Sequence, residues 1–143
     1  MKKNAKIISF GIVIAVVVIG MVIFMTGSAE SFNELVLTNI DKSNISSIEV
    51  SRSSDNHERI TEDKETINGI IKDLESLQIK KSENIKESNG EVYWIKIKID
   101  SEQKIGIVLS ENHVSIQDGS KNATDTYKVT DGYNVNTIEG LFK

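Results

Sequence analysis

The chain has 143 residues, no cysteine, no proline, and 17 basic against 21 acidic side chains. Without cysteine it can form no disulfide, no thiolate metal site and no lipid-modified N-terminal cysteine. The only charges before residue 30 are Lys2, Lys3 and Lys6, which leaves 14 basic against 21 acidic groups, a net of −7, over residues 30–143; such a domain repels phosphate backbones and anionic headgroups, so neither a nucleic-acid partner nor a peripheral lipid-binding role is expected.

Residues 1–6 form a basic tail. From Ile7 to Met25 the chain carries no charge, and Ser9 is its one clearly polar side chain. As a helix rising about 1.5 Å per residue this run reaches about 30 Å, the thickness of a bilayer's hydrocarbon core. Lysines precede the run and none follows until Lys42, so the positive-inside rule predicts a single-pass signal-anchor with the N-terminus cytoplasmic and the remainder extracytoplasmic. The alternative is a cleaved export signal, because Gly27-Ser28-Ala29 presents small residues where a signal peptidase reads them. Cleavage near Ala29 would secrete the domain; against it, an ordinary export signal has an apolar core of only about 7–15 residues.

Residues 26–34 are small and polar apart from Phe32 and read as a stalk, with one folded domain over residues 35–143. Leu35-Val36-Leu37 fits a strand or a helical turn equally. Ile45 to Arg52 alternates Ile48 and Val50 with Glu49 and Ser51, the pattern of a half-buried strand. A turn at Ser53–Asn56 leads into His57–Thr61, with Ile60 expected to point inward. Asp63 is placed to cap a helix whose Ile67, Ile70, Ile71, Leu74 and Leu77 form one apolar stripe, so this helix covers one face of a sheet.

After a polar loop, Glu91–Asp100 sets Tyr93, Ile95, Ile97 and Ile99 on one face and Val92, Trp94, Lys96 and Lys98 on the other. Gln103–Ser110, His113–Gln117 and Tyr127–Val129 follow as strands, joined by short turns and pairing antiparallel with their sequence neighbours. Val135, Ile138, Leu141 and Phe142 have helical spacing and predict a short C-terminal helix. The fold class is therefore α+β: an N-terminal transmembrane helix, then an antiparallel sheet of about five to seven strands with one main helix packed on one face. Trp94 is expected to be packed, with the C-terminal helix a candidate cover.

No residue is assigned a catalytic, cofactor-binding or metal-binding role, and no cofactor is expected. His57 and His113 have no partner at the spacing a zinc site demands and read as solvated surface residues. No Gly-x-Ser-x-Gly elbow is present, and Ser43, Ser46 and Ser47 read as turn and cap residues. Asp118 to Asp125 offers oxygens to calcium, but its glycine stands second rather than sixth, so a plain hairpin loop is the preferred reading.

The succession Ile48-Glu49-Val50, the helix Thr66 to Leu74, Tyr93-Trp94-Ile95-Lys96-Ile97 and Tyr127-Lys128-Val129 resembles the small exported domains of unknown function of Gram-positive Firmicutes. That resemblance rests on apolar spacing over residues 40–143 and implies a membrane-attached bacterial envelope protein with no assigned activity. The missing lipobox cysteine departs from the lipid-anchored members. The expected function is a membrane-tethered extracytoplasmic binding module that holds a protein or cell-envelope partner through its sheet surface or a free strand edge, and not an enzyme. The alternatives are an immunity- or inhibitor-like protein acting on a secreted partner, and an envelope enzyme whose site the sequence does not display.

Overall fold

A computed structural model describes residues 28–84, 86 and 88–143. The expected span at residues 7–25 lies outside the described residues, among which no helix is long and apolar enough to cross a membrane. The body is an α+β fold around one eight-stranded antiparallel sheet. Its elements are β1 (Glu30–Ser31), α1 (Phe32–Leu35), β2 (Ile45–Arg52), β3 (Glu58–Thr61), α2 (Lys64–Glu75), β4 (Gln78–Lys81), β5 (Tyr93–Ile99), β6 (Glu102–Leu109), β7 (His113–Asp118), β8 (Thr124–Asp131) and α3 (Asn136–Gly140). Two short 3₁₀ turns, Leu37–Asn39 and Lys42–Asn44, join α1 to β2.

The strand order is β1-β4-β8-β7-β6-β5-β2-β3. The β2–β3 hairpin forms one edge, α2 carries the chain across to β4 near the other, and β5 to β8 fill the interval as a meander. The β5–β6 turn holds Asp100 and Ser101 at φ 51° and 68°, the left-handed pair that lets two residues reverse a twisted hairpin. Extra residues interrupt three ladders, around Ser46 in β2, Lys104 in β6 and Thr130 in β8. Each such bulge resets which residues share a face.

The stripe read from the sequence is the seam of the core. Asp63 accepts from the Thr66 amide at 2.8 Å and from its hydroxyl at 2.7 Å, satisfying a first-turn donor. Ile67, Ile70, Ile71, Leu74 and Leu77 are buried with Ile48, Val50, Ile95, Ile97, Ile107 and Leu109 in one cluster. The C-terminal helix packs beside α2 on the same face, where the buried Asp73 accepts from the Thr137 amide at 2.8 Å. Beyond it, the Arg52 guanidinium stacks 4.5 Å from the Phe142 ring centroid.

Several expectations need correction. The sheet has eight strands rather than five to seven, because β1 and β4 also pair. The folded body begins before residue 35: Glu30 and Ser31 pair with Ile79 and Gln78, and Phe32 is fully buried with its amide bonded to the Leu77 carbonyl at 3.0 Å. A buried aromatic removes far more apolar area from water than a polar stalk could leave exposed, so residues 30–34 belong to the domain. Ile60 points outward and is 59% exposed, because the β2–β3 register sets it beside Glu49 and turns Thr61 inward beside Ile48.

Candidate functional site

The three helices gather on the isoleucine face of the sheet, and among the described residues none lies on the other. The register places Glu58, Ser51, Trp94, Val108, Ser115 and Thr126 in one row across that open face, with Ile60, Glu49, Lys96, Gly106 and Gln117 in the next. Trp94 is 40% exposed. Its cross-strand neighbours Ser51 and Val108 are smaller, so the indole stands above the surface around it. The expected cover by the C-terminal helix is absent, because α3 packs on α2 on the opposite side.

Beside the indole lies a three-membered ionic group. Glu49, almost fully buried, receives Lys96 on one carboxylate oxygen and Lys98 on the other at 2.9 Å. Hydrogen bonds from the two ammonium groups pull its carboxyl down to about 2, against burial, which opposes them. Each of the two bonds outweighs the burial that opposes it, so the carboxylate stays charged and holds both ammonium groups in place. The open face holds Lys80, Lys96, Lys98 and Lys128 against Glu49, Glu58 and Asp131 among its strand residues, a small positive excess on a domain of net −7. Exposed indole, small flanking residues and pinned lysines make a surface suited to packing and to charge-assisted hydrogen bonds.

The helix-bearing face carries a cleft of about 690 Å³ at the end where β5 meets β6 and β7 meets β8. Its floor is apolar, formed by Leu35, Ile40, Ile99, Ile105, Ile116 and Tyr127, and Asp41, Glu102, Asp118 and Asp125 stand at it with Lys104 and Lys121. Glu102 is paired with Lys104 at 2.8 Å, Asp118 with Lys121 at 3.7 Å, and Asp125 with Lys81 at 3.2 Å. Asp118 also accepts from the Ser120 hydroxyl and amide, which lowers its pKa. Its oxygens are thus turned into their own loop. Among the described residues no three side chains of the metal-ligating kinds converge.

His57 is exposed and contacts Asp55 at 3.0 Å. His113, expected at the surface, is half-buried instead, with its Nδ1 2.7 Å from the Ser110 hydroxyl and 3.0 Å from Asn112 Oδ1. This Ser–His contact does not open onto substrate space: Ser110 is fully buried and its hydroxyl also bonds the His113 main chain, closing the β6–β7 turn. Ser43 donates to Asp41 and Ser46 bonds the Lys98 carbonyl at 3.1 Å, while Ser47 lies buried in β2. Glu49 and its lysines do not stand out in the sequence as a group. The signal was available in a glutamate on one strand of a pair and lysines at i and i+2 on the other, once their register is known.

No protein-family model, curated protein or solved structure matches this chain.

Proposed function

We propose that this chain is a membrane-tethered, extracytoplasmic binding module of a bacterial envelope, acting through the helix-free face of its sheet on a protein or cell-envelope partner. The apolar run at residues 7–25 with its one-sided lysines supports the tether and the orientation. The resemblance to exported Firmicutes domains supports the envelope setting. The observation that carries the binding role is Trp94, a large apolar side chain left in water at the middle of an uncovered face, beside lysines pinned by Glu49. Indole and a rigid cationic rim are the groups that dominate association energies when a partner excludes water from them. A partner surface with an apolar pocket and an acidic border is the complement.

Binding is preferred to catalysis because the polar groups that converge do so in saturated local pairs, and the Ser110–His113 contact is sealed inside a turn. The test is photocrosslinking in intact cells from a probe at the exposed Ile60, followed by identification of what is captured. Trp94→Ala should reduce capture of a specific partner about tenfold or more, the effect of losing one aromatic anchor, while the variant still unfolds in a single cooperative transition. Capture insensitive to Trp94→Ala, or a turnover assay that responds to the purified protein, would remove the proposal. Protease added outside whole cells should digest residues 30–143; their survival while a known surface protein is cut would refute the orientation.

A further inference from the structure

The cleft on the helix-bearing face is separate from the surface assigned to partner binding. We propose that it takes a membrane lipid with an amine-bearing head, the acyl chain lying on the apolar floor and the ammonium meeting the acidic rim. The inference rests on the reading that residues 7–25 hold the chain at a membrane.

Size and lining suit a small amphiphile. A volume of about 690 Å³ falls in the range of sites that enclose a ligand of drug or lipid-fragment size. The floor is apolar through the half-buried Leu35, Ile40 and Tyr127 over the buried Ile116, area that a seated acyl chain takes out of water. The rim is not neutral. Glu102 and Asp118 are matched by Lys104 and Lys121. Asp41 is kept anionic by hydrogen bonds from the Ser43 side chain and backbone, accepts on its other oxygen from the neutral Asn44 amide at 2.9 Å, and so has its charge uncompensated by any cationic partner among the described residues. Among the described residues Asp125 is held only by Lys81, an exposed pair that a competing cation can displace. An anionic head is therefore repelled, and one bearing an ammonium is attracted.

Position selects a lipid over other cationic amphiphiles. Glu30 in β1 lies opposite Ile79 and the strands are antiparallel, so the chain before Glu30 runs toward the level of Lys81, whose ammonium reaches Asp125 on the cleft rim. Between Met25 and Glu30 stand four residues, five steps of chain that reach at most about 18 Å. The cleft therefore sits at the bilayer surface, where lipid is the most concentrated amphiphile.

The test uses the full chain in phosphatidylcholine vesicles doped with a diazirine-bearing lipid, in one arm with an ethanolamine head and in the other with a glycerol head. Irradiation should label peptides spanning Val36–Asp41 and Ile116–Tyr127, about fivefold more with ethanolamine, the ratio that one partly exposed ion pair supplies. Ala123→Trp, at the exposed mouth, should abolish the labelling without changing flotation or the unfolding midpoint. A chain that fails to float with the vesicles overturns the tether and the cleft assignment together. Flotation without label in the cleft, or equal labelling by both heads, overturns the cleft assignment alone. Stronger labelling by a soluble basic peptide carrying the same diazirine replaces the lipid with a peptide.

Discussion

Glu49 shows how one residue ties the fold to the candidate surface. Its folded pKa, near 2 against an ordinary 4.5, means that the native state binds its proton more weakly than the unfolded chain does. Its contribution is therefore complete above about pH 4.5 and is lost as pH falls through 2. Glu49→Gln should cost about 2 kcal/mol at pH 7, allowing for the partial exposure of both lysines, and the gap from wild type in urea unfolding should close toward pH 2. Two glycines give a cleaner contrast. A Cβ on Gly132, at φ 73°, would sit 1.8 Å from the Ser76 carbonyl oxygen, whereas one on Gly140 would meet nothing within 4 Å. Gly132→Ala should lose on the order of 3 kcal/mol through strain and clash. Gly140→Ala, in a helix end with open space, should gain up to about 1 kcal/mol. Thermal unfolding of the two variants side by side checks both.

Among the elements, α2 was the most legible because Ile67, Ile70, Ile71 and Leu74 at spacings of three and four specify a face without any knowledge of the partner; Leu77, expected to extend the stripe, lies past the helix's end at Glu75 and is buried from the turn into β4 instead. Ile70 is fully buried and Asn68 is exposed. Ile70→Ala should therefore cost about 3 kcal/mol and Asn68→Ala less than about 0.5 kcal/mol in denaturant unfolding. The long strands were legible for the same reason, since alternation over seven or eight residues fixes its own phase. Short strands were not. In Glu58–Thr61 a single isoleucine among four residues suggests an inward side chain, but the phase is set by pairing with β2, and that pairing turns Ile60 to water. The two residues of β1 carry no pattern at all, and Gln78–Lys81 alternates too briefly to be distinguished from a loop edge. For the candidate surface, the two faces of β5 could be separated in sequence. Which one the C-terminal helix would cover could not, since that depends on where the β8 turn delivers it. The cleft is assembled from residues 35 to 127, and no local pattern announces such a shape.

At the scale of the molecule, the N-terminal boundary matters most. Phe32 is fully buried and its amide closes onto Leu77, so the segment that enters from residue 28 is bolted to the core within a few residues. Phe32→Ala should destabilise the whole domain by about 4 kcal/mol, measured as a single shifted unfolding transition; a loss of less than about 1 kcal/mol would restore the longer stalk. The order β1-β4-β8-β7-β6-β5 also determines how the molecule carries mechanical load. A pull applied between the N-terminal segment and β5 crosses five strand pairings in series, and a series of links yields at its weakest. That link is β1, two residues long, backed by one aromatic plug. Tension should strip this strand and leave the remaining seven intact, so a strained attachment lengthens by a few residues before the domain gives way.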